Sequence, residues 1–142
     1  MTGKLWLFSC LVLALCSCTE RQEETVVSTW TTDETPKEVR VELEEGLGVE
    51  VQQFHENGRI HTRGTLLNNM RQGVWNTYRE DGLPWSRVTY QAGVKAGLFR
   101  TWHIGGKPHI EGQHTEGVPS GKWRFYSTEG ELVETKDYGD PK

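Results

Sequence analysis

Gly97-Leu98-Phe99-Arg100-Thr101-Trp102-His103-Ile104-Gly105-Gly106 decides the fold, because it is one copy of a unit that recurs. Phe54, Tyr78, Trp102 and Tyr126 are each 24 residues apart, and so are Gly58, Gly82, Gly106 and Gly130. Gly73, Gly97 and Gly121 keep the same step. Directly behind them stand Trp75, Phe99 and Trp123. Asn69, Gly93 and Gly117 complete the register. Several columns held in step with no insertion mark a repeat array, and a period of this length takes precedence over other fold signals.

Within one unit, two glycine-marked breaks bound short segments. The first follows the aromatic: Glu56-Asn57-Gly58, Glu80-Asp81-Gly82, Gly105-Gly106, Glu129-Gly130. Asn-Gly and Asp-Gly tolerate positive φ and signal hairpins. The second is Gly93 to Gly97 and Gly117 to Gly121, with Asn69 to Gly73 as a variant. The segments between breaks, such as 107–115, are too short and too glycine-bounded for helices. The expected fold is all-β: β-hairpins of 24 residues paired edge to edge into one extended antiparallel sheet. A lone hairpin is marginal in water, so stacked neighbours must supply the missing contacts. Phe54, Tyr78, Trp102 and Tyr126 form one aromatic ladder; Val51, Trp75, Phe99 and Trp123 form a second. The ladders are three positions apart, so an unbroken strand puts them on opposite faces. Which is more buried the pattern leaves open.

The start of the chain has another character. Lys4 precedes an apolar run from Leu5 to Leu15 that is shorter than the roughly 20 residues a spanning helix needs. A charge followed by a short apolar core reads as a secretory signal over 1–17. Leu15-Cys16-Ser17-Cys18 resembles the lipobox of bacterial lipoproteins, which implies lipidation of Cys18 as the new N-terminus. The cysteines are Cys10, Cys16 and Cys18, so the mature repeat region has no thiol for a disulfide or a metal. Multiple acylation, implied by that resemblance, anchors stably where one chain does not.

Residues 19–45 hold nine acidic and three basic side chains, whereas the rest of the chain up to 142 is nearly balanced. Residues 18–37 therefore read as the lipidated cysteine and a flexible acidic tether, spanning roughly 25 Å root-mean-square. Val39, Val41 and Leu43 alternate with charged residues, a strand pattern. Residues 38–48 read as a strand or a degenerate capping repeat, with Trp30 one period before Phe54. Residues 49–142 form the array of four repeats.

Gly73-Val74-Trp75-Asn76-Thr77-Tyr78-Arg79-Glu80-Asp81-Gly82 and Tyr90-Gln91-Ala92-Gly93-Val94-Lys95-Ala96-Gly97 are similar to the bacterial variant of the membrane occupation and recognition nexus (MORN) repeat. The resemblance covers about residues 49 to 139 and implies a fold rather than an activity. Bacterial members are often labelled antitoxin components of toxin–antitoxin pairs, and some MORN proteins are credited with phospholipid binding. The matching positions here are the structural ones.

The sequence offers little chemistry. Of five histidines, His55 and His103 occupy equivalent positions two repeats apart, as do His61 and His109. Four strand steps amount to about 19 Å, too far for one ion. His114 differs in parity from His109 on the same segment. Gly117-Val118-Pro119-Ser120-Gly121-Lys122 is one residue short of a phosphate loop, with Trp123 where Ser or Thr belongs. Ser120 is not in a nucleophile elbow. The candidate surface is a strip of one parity on the second strand of each repeat: His61, Arg63, Trp85, Arg87, His109 and Glu111. Arg and Trp are over-represented at interface hot spots.

These features point to a non-catalytic lipoprotein of the bacterial envelope that binds or scaffolds another envelope protein. Thr19 directly after Cys18, by resemblance to the sorting rule of enterobacterial lipoproteins, implies the outer membrane rather than the inner. No cofactor, metal or nucleic-acid partner is expected. Rival readings are a toxin-neutralising protein, an envelope hydrolase, and a binder of lipid head groups. The near-neutral repeat region speaks against strong attraction to anionic lipid.

Overall fold

A computed structural model describes residues 24–30 and 35–140. It contains ten strands in chain order: β1 (Glu24–Thr29), β2 (Pro36–Glu42), β3 (Val49–Phe54), β4 (Ile60–Leu67), β5 (Met70–Tyr78), β6 (Pro84–Gln91), β7 (Val94–Trp102), β8 (Pro108–Thr115), β9 (Val118–Tyr126) and β10 (Leu132–Asp137). They form one sheet in which every strand pairs antiparallel with its sequence neighbours. The extended antiparallel sheet of consecutive hairpins is the architecture the 24-residue period dictates.

The two breaks in each unit have different geometry. The hairpins β4–β5, β6–β7 and β8–β9 turn through two residues of positive φ: Asn68-Asn69, Ala92-Gly93 and Glu116-Gly117. Such turns match the right-handed twist of the strands they join. At the other edge, four-residue turns close with a backbone bond, as from Gly58 N–H to the His55 carbonyl at 2.9 Å, and His55 N–H bonds the Arg59 carbonyl beneath it at 2.8 Å. Gly73, Gly97 and Gly121 are not part of the tight turns. They lie inside β5, β7 and β9 at positive φ, beside register shifts between Arg63 and Thr65, Val88 and Tyr90, and Glu111 and Gln113. The sequence shows one break where the chain makes a turn and then a bulge.

The two ladders face opposite sides. The buried one is Val51, Trp75 and Trp123, with Val88 from the partner strand; Phe99 in the same ladder is half-buried. Phe54, Tyr78, Trp102 and Tyr126 are half-buried on the other face. The reason lies across the strand. Gly64 faces Trp75 so closely that a Cβ there would stand 2.2 Å from the indole. Gly112 faces Trp123 in the same way, at 2.3 Å. Each indole lies flat over its glycine and donates Nε1–H to a carbonyl, Thr65 for Trp75 (3.2 Å) and Gln113 for Trp123 (3.1 Å). The middle repeat makes the complementary choice: Val88 stands in the glycine column and the smaller Phe99 lies directly across from it. Trp123 extends the cluster to Phe99, His114 and Tyr138, with ring centroids 5.2, 5.1 and 5.8 Å away.

One part of the tether reading is corrected. Within 18–37, Glu24–Thr29 is strand β1, with Glu24 opposite Val41 and Val26 opposite Val39. The composition is acidic, but Thr25, Val26, Val27, Ser28 and Thr29 form a β-favouring run, and the alternating Val39 and Val41 of β2 give it a partner. β1 and β2 thus make a leading hairpin ahead of the four repeats. Cys18 and the signal-like segment 1–17 lie outside the described residues.

Candidate binding face

Register pairing defines a single cross-strand row through all ten strands. In order it reads Val26, Val39, Gln52, Arg63, Asn76, Arg87, Arg100, Glu111, Arg124 and Thr135. Residues directly opposite in an antiparallel pair share a face, so these side chains stand on the side away from Trp75 and Trp123. Two strand positions along, the half-buried Tyr78, Trp102 and Tyr126 border the row. The Arg100 guanidinium lies 6.0 Å from the Trp102 ring.

The row is partly neutralised from within. Arg63 pairs with Glu50 on β3 at 2.9 Å, and Arg100 with Glu111 at 2.8 Å. Arg87 Nε donates to the Asn76 Oδ1 at 2.9 Å. The Tyr126 hydroxyl donates to Glu111 Oε2 at 3.0 Å. Burial works to raise the Glu50 carboxyl, but hydrogen bonds from Arg63 and Gln52 outweigh it and hold the group below its ordinary value. Burial, then the bond to Glu111, raises the Tyr126 hydroxyl. A shallow groove of about 360 Å³ opens on this face, lined by Arg87, Leu98, Arg100, Glu111, Gln113, Lys122 and Arg124 among others.

Of the strip read from the sequence, Arg63, Arg87 and Glu111 lie together in the row. His61, Trp85 and His109 do not belong with them. Each sits beside a register shift, between Gln53 and Phe54, Thr77 and Tyr78, or Thr101 and Trp102. A bulge breaks the two-residue alternation on which the shared parity rested. His61 Nδ1 is 3.5 Å from Thr62 Oγ1, and His109 Nδ1 is 3.4 Å from Thr101 Oγ1. Both threonines belong to the tryptophan side. Asn76, Arg100 and Arg124 were not read as part of the strip. They form a 24-step column of their own on the first strand of each repeat. Only the register shows that it interleaves with the column of Arg63, Arg87 and Glu111.

The displaced residues serve the seams between repeats. The tilted rings of His55 and His61 lie 4.6 Å apart, and those of His103 and His109 4.2 Å apart. In the middle repeat Arg79 lies 5.6 Å from the Trp85 ring. The first member of each pair donates to a backbone carbonyl of the next repeat. His55 Nε2 reaches Tyr78 O (3.0 Å), Arg79 Nη2 reaches Trp102 O (3.0 Å), and His103 Nε2 reaches Tyr126 O (2.8 Å). Asn57 and Lys107 make similar bonds to Glu80 O and Glu129 O, both at 2.8 Å. Among the described residues, no three His, Cys, Asp or Glu side chains are grouped to hold a metal ion.

These histidines give the fold a pH dependence. Burial, then the neighbouring His55, depresses the His61 imidazole; burial, then His103, depresses His109. Burial, then Lys95, depresses His114, which packs edge-on against Phe99 and Trp123. A depressed histidine binds fewer protons folded than unfolded, so stability is fully present above the unfolded value of about 6.5 and is lost as pH falls through the folded value. Urea midpoints should therefore be flat above neutrality and fall on acidification. A His61→Gln/His109→Gln double variant should show a shallower fall. An equal slope in the variant would place the effect elsewhere.

Comparison with protein-family models, with curated proteins and with solved structures finds no match to this chain.

Proposed function

We propose that this chain is a MORN-like repeat protein of the bacterial envelope, lipid-anchored through Cys18 and non-catalytic, whose arginine face binds another envelope protein. The observation that carries the reading is the uninterrupted cross-strand row with Arg63, Arg87, Arg100 and Arg124 on one side of the sheet. Its aromatic border and its groove supply the mixture of guanidinium, aromatic and amide groups from which interface hot spots are built. The opposite side spends its large aromatic side chains on the sheet's own packing. The signal-like start, read as an export and anchoring sequence, would place the face in the envelope.

The test is cross-linking in cells of the tagged full-length chain beside an Arg63→Gln/Arg87→Gln/Arg100→Gln/Arg124→Gln variant. One dominant partner should be captured by the wild type, and its yield should fall by about tenfold or more in the variant. The same partners captured equally by both forms would remove the arginine face from the function.

A further inference from the structure

The arginine face holds more positive charge than it neutralises, and the surplus is localised. Both oxygens of Glu111 are occupied, Oε1 by Arg100 and Oε2 by the Tyr126 hydroxyl. Arg124 stands directly across from Glu111 yet makes no hydrogen bond or ion pair among the described residues. Among the described residues, Arg87 bonds only the neutral amide oxygen of Asn76. Two guanidiniums without a carboxylate thus line the groove. They belong to β6 and β9, three strand steps or about 14 Å apart along the row. Leu98, 69 % exposed, lines the same groove.

We propose that this groove binds an extended acidic segment of a protein partner, with carboxylates on Arg87 and Arg124 and an apolar side chain on Leu98. The proposal rests on the reading of this face as a binding surface and adds the chemistry of what it binds. An extended peptide rises about 3.3 Å per residue, so 14 Å corresponds to about four residues. Residues i, i+2 and i+4 of such a segment face one way, which puts two acids at the ends and the apolar residue between them. Glu111 decides against a uniform polyanion. It sits between the two free guanidiniums, where a chain with a charge on every unit would set an anion against it. A peptide with isolated acids avoids that repulsion and can offer a backbone N–H in its place.

The experiment uses the full-length chain in detergent micelles and three probes. One is a fluorescent peptide with glutamates four residues apart and leucine midway. The second is the same peptide with glutamines in place of the glutamates, and the third is inorganic polyphosphate. The acidic peptide should bind more tightly than either of the others. Arg87→Gln and Arg124→Gln should each weaken it about tenfold, with the sheet's circular dichroism unchanged. Arg40→Gln, which removes a cation from the other side of the sheet, should bind as the wild type does. Glu111→Gln should raise the affinity for polyphosphate. Equal binding of the acidic and amide peptides, or polyphosphate binding more tightly than the acidic peptide, would overturn the proposal. So would undiminished binding by Arg87→Gln and Arg124→Gln. If the four-arginine variant loses its cross-linked partner while the acidic peptide fails to bind, the face stands and the acidic-peptide assignment falls.

Discussion

Gly112→Val destabilises the sheet by about 3 kcal/mol, and adding Trp123→Phe restores most of the loss. The expectation follows from one distance. A Cβ at Gly112 would lie 2.3 Å from Cδ2 of Trp123, and the indole cannot retreat. It is hemmed by Phe99, His114 and Tyr138, and its Nε1–H is committed to the Gln113 carbonyl. The double variant recreates the pairing the middle repeat already uses, Val88 opposite Phe99. Urea unfolding of the two single variants and the double variant gives the coupling directly. Additive changes, with no rescue, would show that the two columns are not a matched pair.

The second large effect is at Trp75. Trp75→Ala should cost about 3–5 kcal/mol, the range for removing a large buried aromatic side chain. Its indole is 7 % exposed, covers Gly64, and lies under the Arg71 guanidinium, 4.5 Å from the ring. Because each hairpin contacts only its neighbours, weakening this central seam should do more than lower the midpoint. The hairpins on either side should begin to unfold separately, seen as a reduced urea m-value or two transitions. Trp85 provides the control. It is 49 % exposed, and Trp85→Ala should change stability by no more than about 0.5 kcal/mol. A similar loss at both positions would contradict the burial that separates them.

Much of the fold was legible in the sequence because the period is strict. Turns, strand lengths and the opposition of the two aromatic ladders all follow from where glycine and aromatic residues recur. Which ladder is buried was not legible, since it depends on Gly64 and Gly112, eleven residues before the rings they accommodate. The candidate face was read only in part. Arg63, Arg87 and Glu111 follow from parity within one strand. Arg100 and Arg124 join them only through pairing across bulges that parity does not count. A second set of bulges, opposite Gln53 and Phe54, Thr77 and Tyr78, and Thr101 and Trp102, carries His61, Trp85 and His109 away from the face. Strand β1 escaped notice because its acidic neighbourhood masked a short run of β-formers whose partner lies about fifteen residues on.

The side-chain clasps at the repeat seams run in one direction. His55, Arg79 and His103 each reach forward to the carbonyl of the aromatic residue 23 positions later, and all three carbonyls belong to the same column. Each inner unit therefore carries the donor for the seam that follows it and the acceptor for the seam before it. A duplicated or deleted unit would leave each remaining donor facing an acceptor of the usual kind. Such a sheet can change length by whole units, each adding about 10 Å to the arginine row, without any seam having to be reinvented. The length of the arginine row is then a matter of copy number rather than of new folding.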